Sequence, residues 1–315
     1  MFKNILVGMD CTVQSQYSFN DALALAKATG ANLKLVHVFS FDEQCELWWL
    51  SPLRDENPNY KLLDHLVDRW QTFLNERQEI LGQCQAKAAA AGVSAVLDLE
   101  PYSGRPGVVL CEVARQWPAD LVAVGHHDKL QDKLRDLGEL RLGSVSEYVL
   151  HNAPCSVLID HQSSQKETMG NLNPIRHILV AIDASDQSQP VLSKALDLAK
   201  ATGADLSLLH VRSSPFEGDR PAKMMDEFQA EAKAMGVSIY TEEHPAKFGE
   251  TVGHNICRFA KDKDVDLILV GRYGLSGLPE VLLGSVSHYV SYHAPCAVLV
   301  VQAPGYPKRE QYLFA

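Results

Sequence analysis

Strand-like apolar runs fall in the same order twice along the chain. Residues 5–9, 33–38, 120–124 and 156–159 form one set, and residues 178–182, 206–211, 266–270 and 297–301 form the other. Most are continuous rather than alternating and are bounded by turn formers, as expected of parallel strands covered on both faces. The stretch after each first run has a different period. Ala22, Leu23, Leu25 and Ala26 make a helical stripe, and Gly30 stands where a left-handed residue ends a helix. Ser15 and Ser188 are read as the N-cap regions of the two opening helices. Leu62, Leu63, Leu66, Trp70, Phe73 and Leu74 keep helical spacing too, which predicts a long amphipathic helix over about residues 60–90. Strands alternating with helices predict an α/β fold with parallel sheets and right-handed crossovers.

The two sets are copies. Ile5-Leu6-Val7-Gly8-Met9-Asp10 matches Ile178-Leu179-Val180-Ala181-Ile182-Asp183, and the offset of 173 residues holds through Leu35-Val36-His37-Val38 against Leu208-Leu209-His210-Val211. Leu142-Gly143-Ser144-Val145-Ser146 pairs with Leu283-Gly284-Ser285-Val286-Ser287, and Ala153-Pro154-Cys155 with Ala294-Pro295-Cys296. A period this long means duplicated domains rather than a solenoid of small units. The expected domains are residues 1–161 and 175–303, joined by a Ser-, Gln- and Asn-rich linker at 162–174 and followed by a tail at 304–315.

Charge narrows the function. The chain of 315 residues carries a formal net charge of −10, which argues against a general affinity for nucleic acid or an anionic membrane. A small anion held by backbone N–H groups remains compatible with that charge. No apolar run reaches the roughly 18 residues of a membrane span, and Met1-Phe2-Lys3-Asn4 leads straight into a strand, so the expected location is cytoplasmic. The seven cysteines form no CxxC pair and are read as reduced thiols, several of them buried.

The sharpest local pattern is Gly271-Arg272-Tyr273-Gly274, nine further residues, and then Gly284-Ser285. It follows a strand and opens a helix. Glycines at such a turn let the backbone approach a phosphate, and the helix start offers N–H groups and the positive end of a dipole. With the strand-ending Asp183, the Leu-His-Val second strand and the closing His-Ala-Pro-Cys segment, this loop resembles that of the universal stress protein family, in its ATP-binding subgroup. The resemblance covers nearly the whole chain, twice.

That resemblance implies two doubly wound, adenine nucleotide alpha hydrolase-like domains of strand order 3-2-1-4-5, packed as an internal pseudo-dimer through their last strands. It implies ATP, with Mg2+, in the second domain: Asp183 and Val211 on the nucleoside, Val270 and Gly271 on the ribose side, and Gly274, Gly284, Ser285 and Val286 on the phosphates. The first domain keeps Asp10, Val38, Gly125, Gly143 and Ser144, but Asp128 replaces the second glycine and fourteen residues follow it before Gly143. A carboxylate there repels phosphate, so this site is read as degenerate, with weak or no ATP binding. The family reading points to stress signalling through a protein partner, with a homodimer of chains as a further option. The alternatives are a slow ATPase, an adenylyl-transferring enzyme, or a structural, ligand-binding stress protein with a vestigial site.

Three other features are read conservatively. His126-His127-Asp128 is taken as a solvated loop rather than a metal site, since adjacent turn side chains seldom converge on one ion. His37 and His210 are taken as satisfied strand-end residues. Trp48-Trp49-Leu50 is taken as packing over the first domain, with a lid or partner surface as the alternative.

Overall fold

The computed structural model describes residues 1–39, 61–126, 142–161, 174–183, 185, 188–212, 218–246, 249–273 and 283–302. The Trp48-Trp49-Leu50 cluster, residues 162–173 of the linker and the tail at 304–315 lie outside them. The first half runs β1 (Asn4–Gly8), α1 (Val13–Thr29), β2 (Asn32–Phe39), α2 (Lys61–Ala90), β3 (Ala95–Ser103), α3 (Pro106–Gln116), β4 (Leu121–Gly125), α4 (Ser144–Asn152) and β5 (Ser156–Asp160). The second runs β6 (His177–Ile182), α5 (Ser188–Thr202), β7 (Asp205–Arg212), α6 (Arg220–Ala234), β8 (Ile239–Pro245), α7 (Val252–Asp262), β9 (Leu267–Gly271), α8 (Ser285–His293) and β10 (Ala297–Val301).

Among the described residues all ten strands join one sheet, in the order β3-β2-β1-β4-β5-β10-β9-β6-β7-β8. Each half therefore has the order 3-2-1-4-5 about its own first strand. Pairing is parallel within each half and antiparallel at the junction, where Val157, Leu158 and Ile159 face Val300, Leu299 and Val298. The predicted pseudo-dimer through the last strands is what the sheet forms. Alternate residues of the buried strands feed two apolar layers. Ile5, Val7, Ile178 and Val180 pack with α1, α2, α5 and α6 on one face. Leu6, Val122, Leu179 and Ile268 pack with α3, α4, α7 and α8 on the other. Both layers run across the junction, so the halves share their cores.

Repeated polar devices fix the strand starts. The Asp120 carboxylate accepts the backbone N–H groups of Lys3 and Asn4, tying β4 to β1. Asp266 does the same for Arg176 and His177 in the second half. The left-handed residue ending α1 is Gly30, with φ 72°. Its N-cap is Thr12 rather than Ser15: the Thr12 hydroxyl oxygen accepts the Ser15 N–H at 3.3 Å. Both residue types can cap, and the helix begins three residues earlier, where Asp10 holds Thr12. Among the described residues six cysteines are free thiols, and burial pushes those of Cys111, Cys155 and Cys257 up to about 12, which keeps them protonated.

A glycine sets the helix spacing in each half. A Cβ on Gly253 would stand 2.8 Å from the Tyr289 Cβ, and one on Gly107 2.8 Å from the Tyr148 Cβ. The obstructing atoms adjoin the backbone and cannot swing away, so α7 must shift from α8. Gly253→Ala is expected to destabilise the chain by about 1–2 kcal/mol in urea unfolding, the overpacking cost exceeding the helix-propensity gain. An unchanged midpoint would mean that these helices are free to slide.

Candidate functional site

Each half opens a crevice where its strand order reverses. In the second half β6 keeps pairing with β7 as far as Ile182↔His210, and β9 with β10 as far as Gly271↔Val301. Between themselves, β6 and β9 pair only as far as Val180↔Leu269. Their carboxyl ends part, and Asp183 follows one while Gly271 ends the other. This is where ligands bind in doubly wound sheets. The first half repeats it: β1 and β4 pair only to Val7↔Ala123, leaving Asp10 and Gly125 on either side.

The turn bearing the aspartate is built alike in both halves. Asp183 Oδ1 accepts the Ser185 N–H at 3.0 Å and the Ser188 hydroxyl at 3.2 Å. Asp10 Oδ1 accepts the Thr12 N–H at 2.9 Å and its hydroxyl at 2.6 Å. Beneath each turn a buried histidine holds the preceding carbonyl: His210 Nδ1 lies 3.0 Å from the Ile182 oxygen, and His37 Nδ1 2.7 Å from that of Met9. The strand-end histidines therefore position the aspartate turns. Val211 and Val270 are buried, so from these positions backbone atoms rather than side chains would meet a ligand.

Across the crevice, Gly284 caps α8 with φ −69° and ψ 150° and no side-chain cap. The His288 N–H makes the bond to the Gly284 carbonyl, so the amides of Ser285, Val286 and Ser287 form the first turn that an α-helix leaves unpaired within itself. Ser285 is exposed and Val286 half-buried, while the buried Ser287 hydroxyl donates inward to the Gly284 and Arg272 carbonyls. The Gly284 N–H donates to the Arg272 carbonyl at 2.8 Å, which ties the helix start to the strand end. A bare glycine cap, an outward Ser285 and a fixed first turn fit a phosphate group. Asp183, Val211, Val270, Gly271, Gly284, Ser285 and Val286 thus gather about one crevice, and Gly274 lies outside the described residues.

The first half differs in charge. Gly143 caps α4 with no side-chain cap, and Ser144 is exposed, as in the second half. The first turn of α4, however, carries Glu147 where α8 has His288. Asp128 and His127 lie outside the described residues. His126 is not the solvated loop residue expected: its ring lies 4.5 Å from that of His161, and its N–H donates to the Asp160 carbonyl. The strand pairing of β4 with β5 brings these residues together, and sequence adjacency alone could not show it.

Sequence reasoning also missed a buried polar set at the junction. Arg272, between the glycines of the loop, is only 6% exposed and points away from solvent into the other half. Burial and the neighbouring His126 push His161 down to about 3. Burial and the nearby Asp21 carboxyl hold Asp160 well above the usual carboxylate range. The signal was present in the repeat, where Asp160-His161 stands opposite Val301-Gln302.

The universal stress protein family model matches residues 1–161 and 174–302. The chain belongs to the universal stress protein family. Universal stress protein YxiE of Bacillus subtilis is 42% identical over 144 residues, a match covering 40% of this chain and 97% of that protein. A universal stress protein of Mycolicibacterium smegmatis is 25% identical over 307 residues, covering 95% of this chain and 96% of its own. The tandem arrangement is therefore shared along a full-length relative. A universal stress protein of Archaeoglobus fulgidus superimposes with a TM-score of 0.65 at 22% identity, covering 95% of this chain and 96% of that one, which bears on the fold. Among the described residues no helix is long and apolar enough to cross a membrane.

Proposed function

We propose that this tandem universal stress protein binds ATP in its second half and signals its bound state to a protein partner. The observation that carries the reading is the meeting of three things at one switch point: the Gly-x2-Gly-x9-Gly-Ser spacing, the open first turn of α8, and the Asp183 turn opposite. Asp183 and the backbone at Val211 would hold the nucleoside. Val270 and Gly271 would line the ribose. Gly274, Gly284, Ser285 and Val286 would hold the phosphates, which would bring Mg2+ with them. The domain limits we assign are 1–161 and 175–303.

The first half is proposed not to bind the triphosphate. Glu147 in the opening turn of α4 opposes an anion at the place where a helix otherwise favours one. Asp128 in the loop sequence adds a second carboxylate, so the first half carries acids at two positions where the second half has Gly274 and His288. Gly274→Asp, which copies the first half's loop, is expected to remove binding from the second.

Denaturing freshly purified protein and identifying released nucleotide by chromatography tests the proposal. About one ATP per chain is expected. No nucleotide, together with no heat of binding on titration with MgATP, would rule out the reading. Mostly ADP would point instead to turnover on the same scaffold.

A further inference from the structure

Arg272 has two jobs that lie in different halves. Its backbone belongs to the candidate phosphate turn: the carbonyl accepts the Gly284 N–H at 2.8 Å and the Ser287 hydroxyl at 3.1 Å, and the amide donates to the Val301 carbonyl at 3.0 Å. Its guanidinium crosses the junction. Nη1 donates to the Ala153 carbonyl at 3.2 Å and to Gln302 Oε1 at 2.6 Å, and Nη2 donates to the His151 carbonyl. Ala153 is the C-cap of α4 and His151 lies in its last turn. These carbonyls are the negative end of the helix and lack partners within it, so a buried cation there satisfies both charge and hydrogen bonding. A guanidinium fixed by three acceptors away from water is costly to displace.

The matching contact from the first half is different in kind. His126 keeps the backbone tie, with its N–H 2.9 Å from the Asp160 carbonyl, but its ring rests on His161. The His161 imidazole meets α8, bonded to the Ser291 carbonyl and held neutral by burial. The charged tie runs from the second half's loop into the first half's α4, and α4 itself opens at the Gly143-Ser144 turn.

We propose that Arg272 passes occupancy of the Gly284 turn to the C-terminal end of α4, so that the first half reports what the second half binds. The proposal rests on the nucleotide reading above. A triphosphate on the first-turn amides of α8 would hold the Gly284 turn, and with it the Arg272 carbonyl bonded to that turn, more rigidly. The guanidinium would then be held more firmly on the His151 and Ala153 carbonyls, and the last turn of α4 would open less often.

Amide hydrogen exchange on the full chain, with and without MgATP, tests this in wild type, Arg272→Lys and Arg272→Gln. In wild type, MgATP is expected to slow exchange at the start of α8 and, by about fivefold or more, at residues 149–153, the last turn and C-cap of α4. At MgATP concentrations chosen to give the wild-type slowing at α8, the slowing at α4 should be lost in Arg272→Gln and partly retained in Arg272→Lys. Protection at α8 without any at α4 in wild type would overturn the proposal, and that arm stands even if the variants fold poorly. Equal protection of α4 in wild type and Arg272→Gln would overturn it as well. No change at α8 in wild type would sink the nucleotide reading and this proposal with it.

Discussion

Gly284→Asp is expected to weaken MgATP binding by the full chain about a hundredfold or more, some 2.7 kcal/mol, while leaving thermal stability unchanged or slightly raised. The backbone at Gly284 has φ −69° and ψ 150°, which any L-residue adopts. An added Cβ would lie 3.2 Å from the Ser287 hydroxyl oxygen, which a few tenths of an ångström of side-chain movement relieves, and 3.4 Å from the Arg272 carbonyl, an ordinary van der Waals contact. Aspartate is also a better N-cap than glycine by a few tenths of a kcal/mol, because its carboxylate accepts the N–H groups of the first turn. Those are the amides that would hold phosphate. The variant therefore occupies the site with its own side chain and sets a negative charge against the incoming triphosphate, at a cost of about 1–4 kcal/mol near 4 Å. Titration calorimetry with MgATP and a thermal melt read the two effects separately. Binding within threefold of wild type would place the nucleotide elsewhere. Gly143→Asp, the same change at α4, is the matched control and should leave binding as it was.

Much of this architecture was legible because the chain states it twice. The 173-residue offset aligned both first strands, both opening helices and both histidine-bearing second strands, and central parallel strands announce themselves as apolar runs. The edge strands were not legible. Ala95–Ser103 carries Asp98, Glu100 and Pro101, and Ile239–Pro245 carries Glu242, Glu243 and Pro245. An edge strand has one side free for polar residues and tolerates proline, so neither resembles the buried strands. The crevice could be located from glycine spacing, since backbone approach is a property of residue type. The direction of Arg272 could not. Only the antiparallel pairing of β5 with β10 brings the end of α4 within its reach. The charge difference between Glu147 and His288 was available by aligning the repeats and supports the proposed asymmetry as much as Asp128 does.

The second large effect is on pH dependence. His161 is buried with its imidazole neutral, and its folded value of about 3 lies below the ordinary 6.5. The unfolded chain therefore binds the proton more readily between those values, so the stability His161 contributes is full above pH 6.5 and is lost as pH falls towards 3. From pH 7 to 4.5 the loss is about 2–3 kcal/mol. Asp160 acts in the opposite sense. Its folded value is raised by burial and by Asp21, so its contribution is present at low pH and lost as pH rises through that value. The two residues are neighbours in the chain, and in the wild type their slopes partly cancel. Replacing each with its counterpart from the second half separates them. His161→Gln, after Gln302, should remove the acid loss and leave a chain that gains stability on acidification. Asp160→Val, after the buried Val301, should remove the opposing slope, raise stability near pH 8 by about 1 kcal/mol or more, and steepen the decline below pH 6.5. Urea unfolding at half-unit steps from pH 4.5 to 8 measures both slopes. Parallel curves for wild type and His161→Gln would mean that the imidazole is already hydrated in the folded junction. Curves that diverge in opposite directions for the two variants would show that His161 and Asp160, buried beside the β5–β10 junction, contribute opposing slopes to stability.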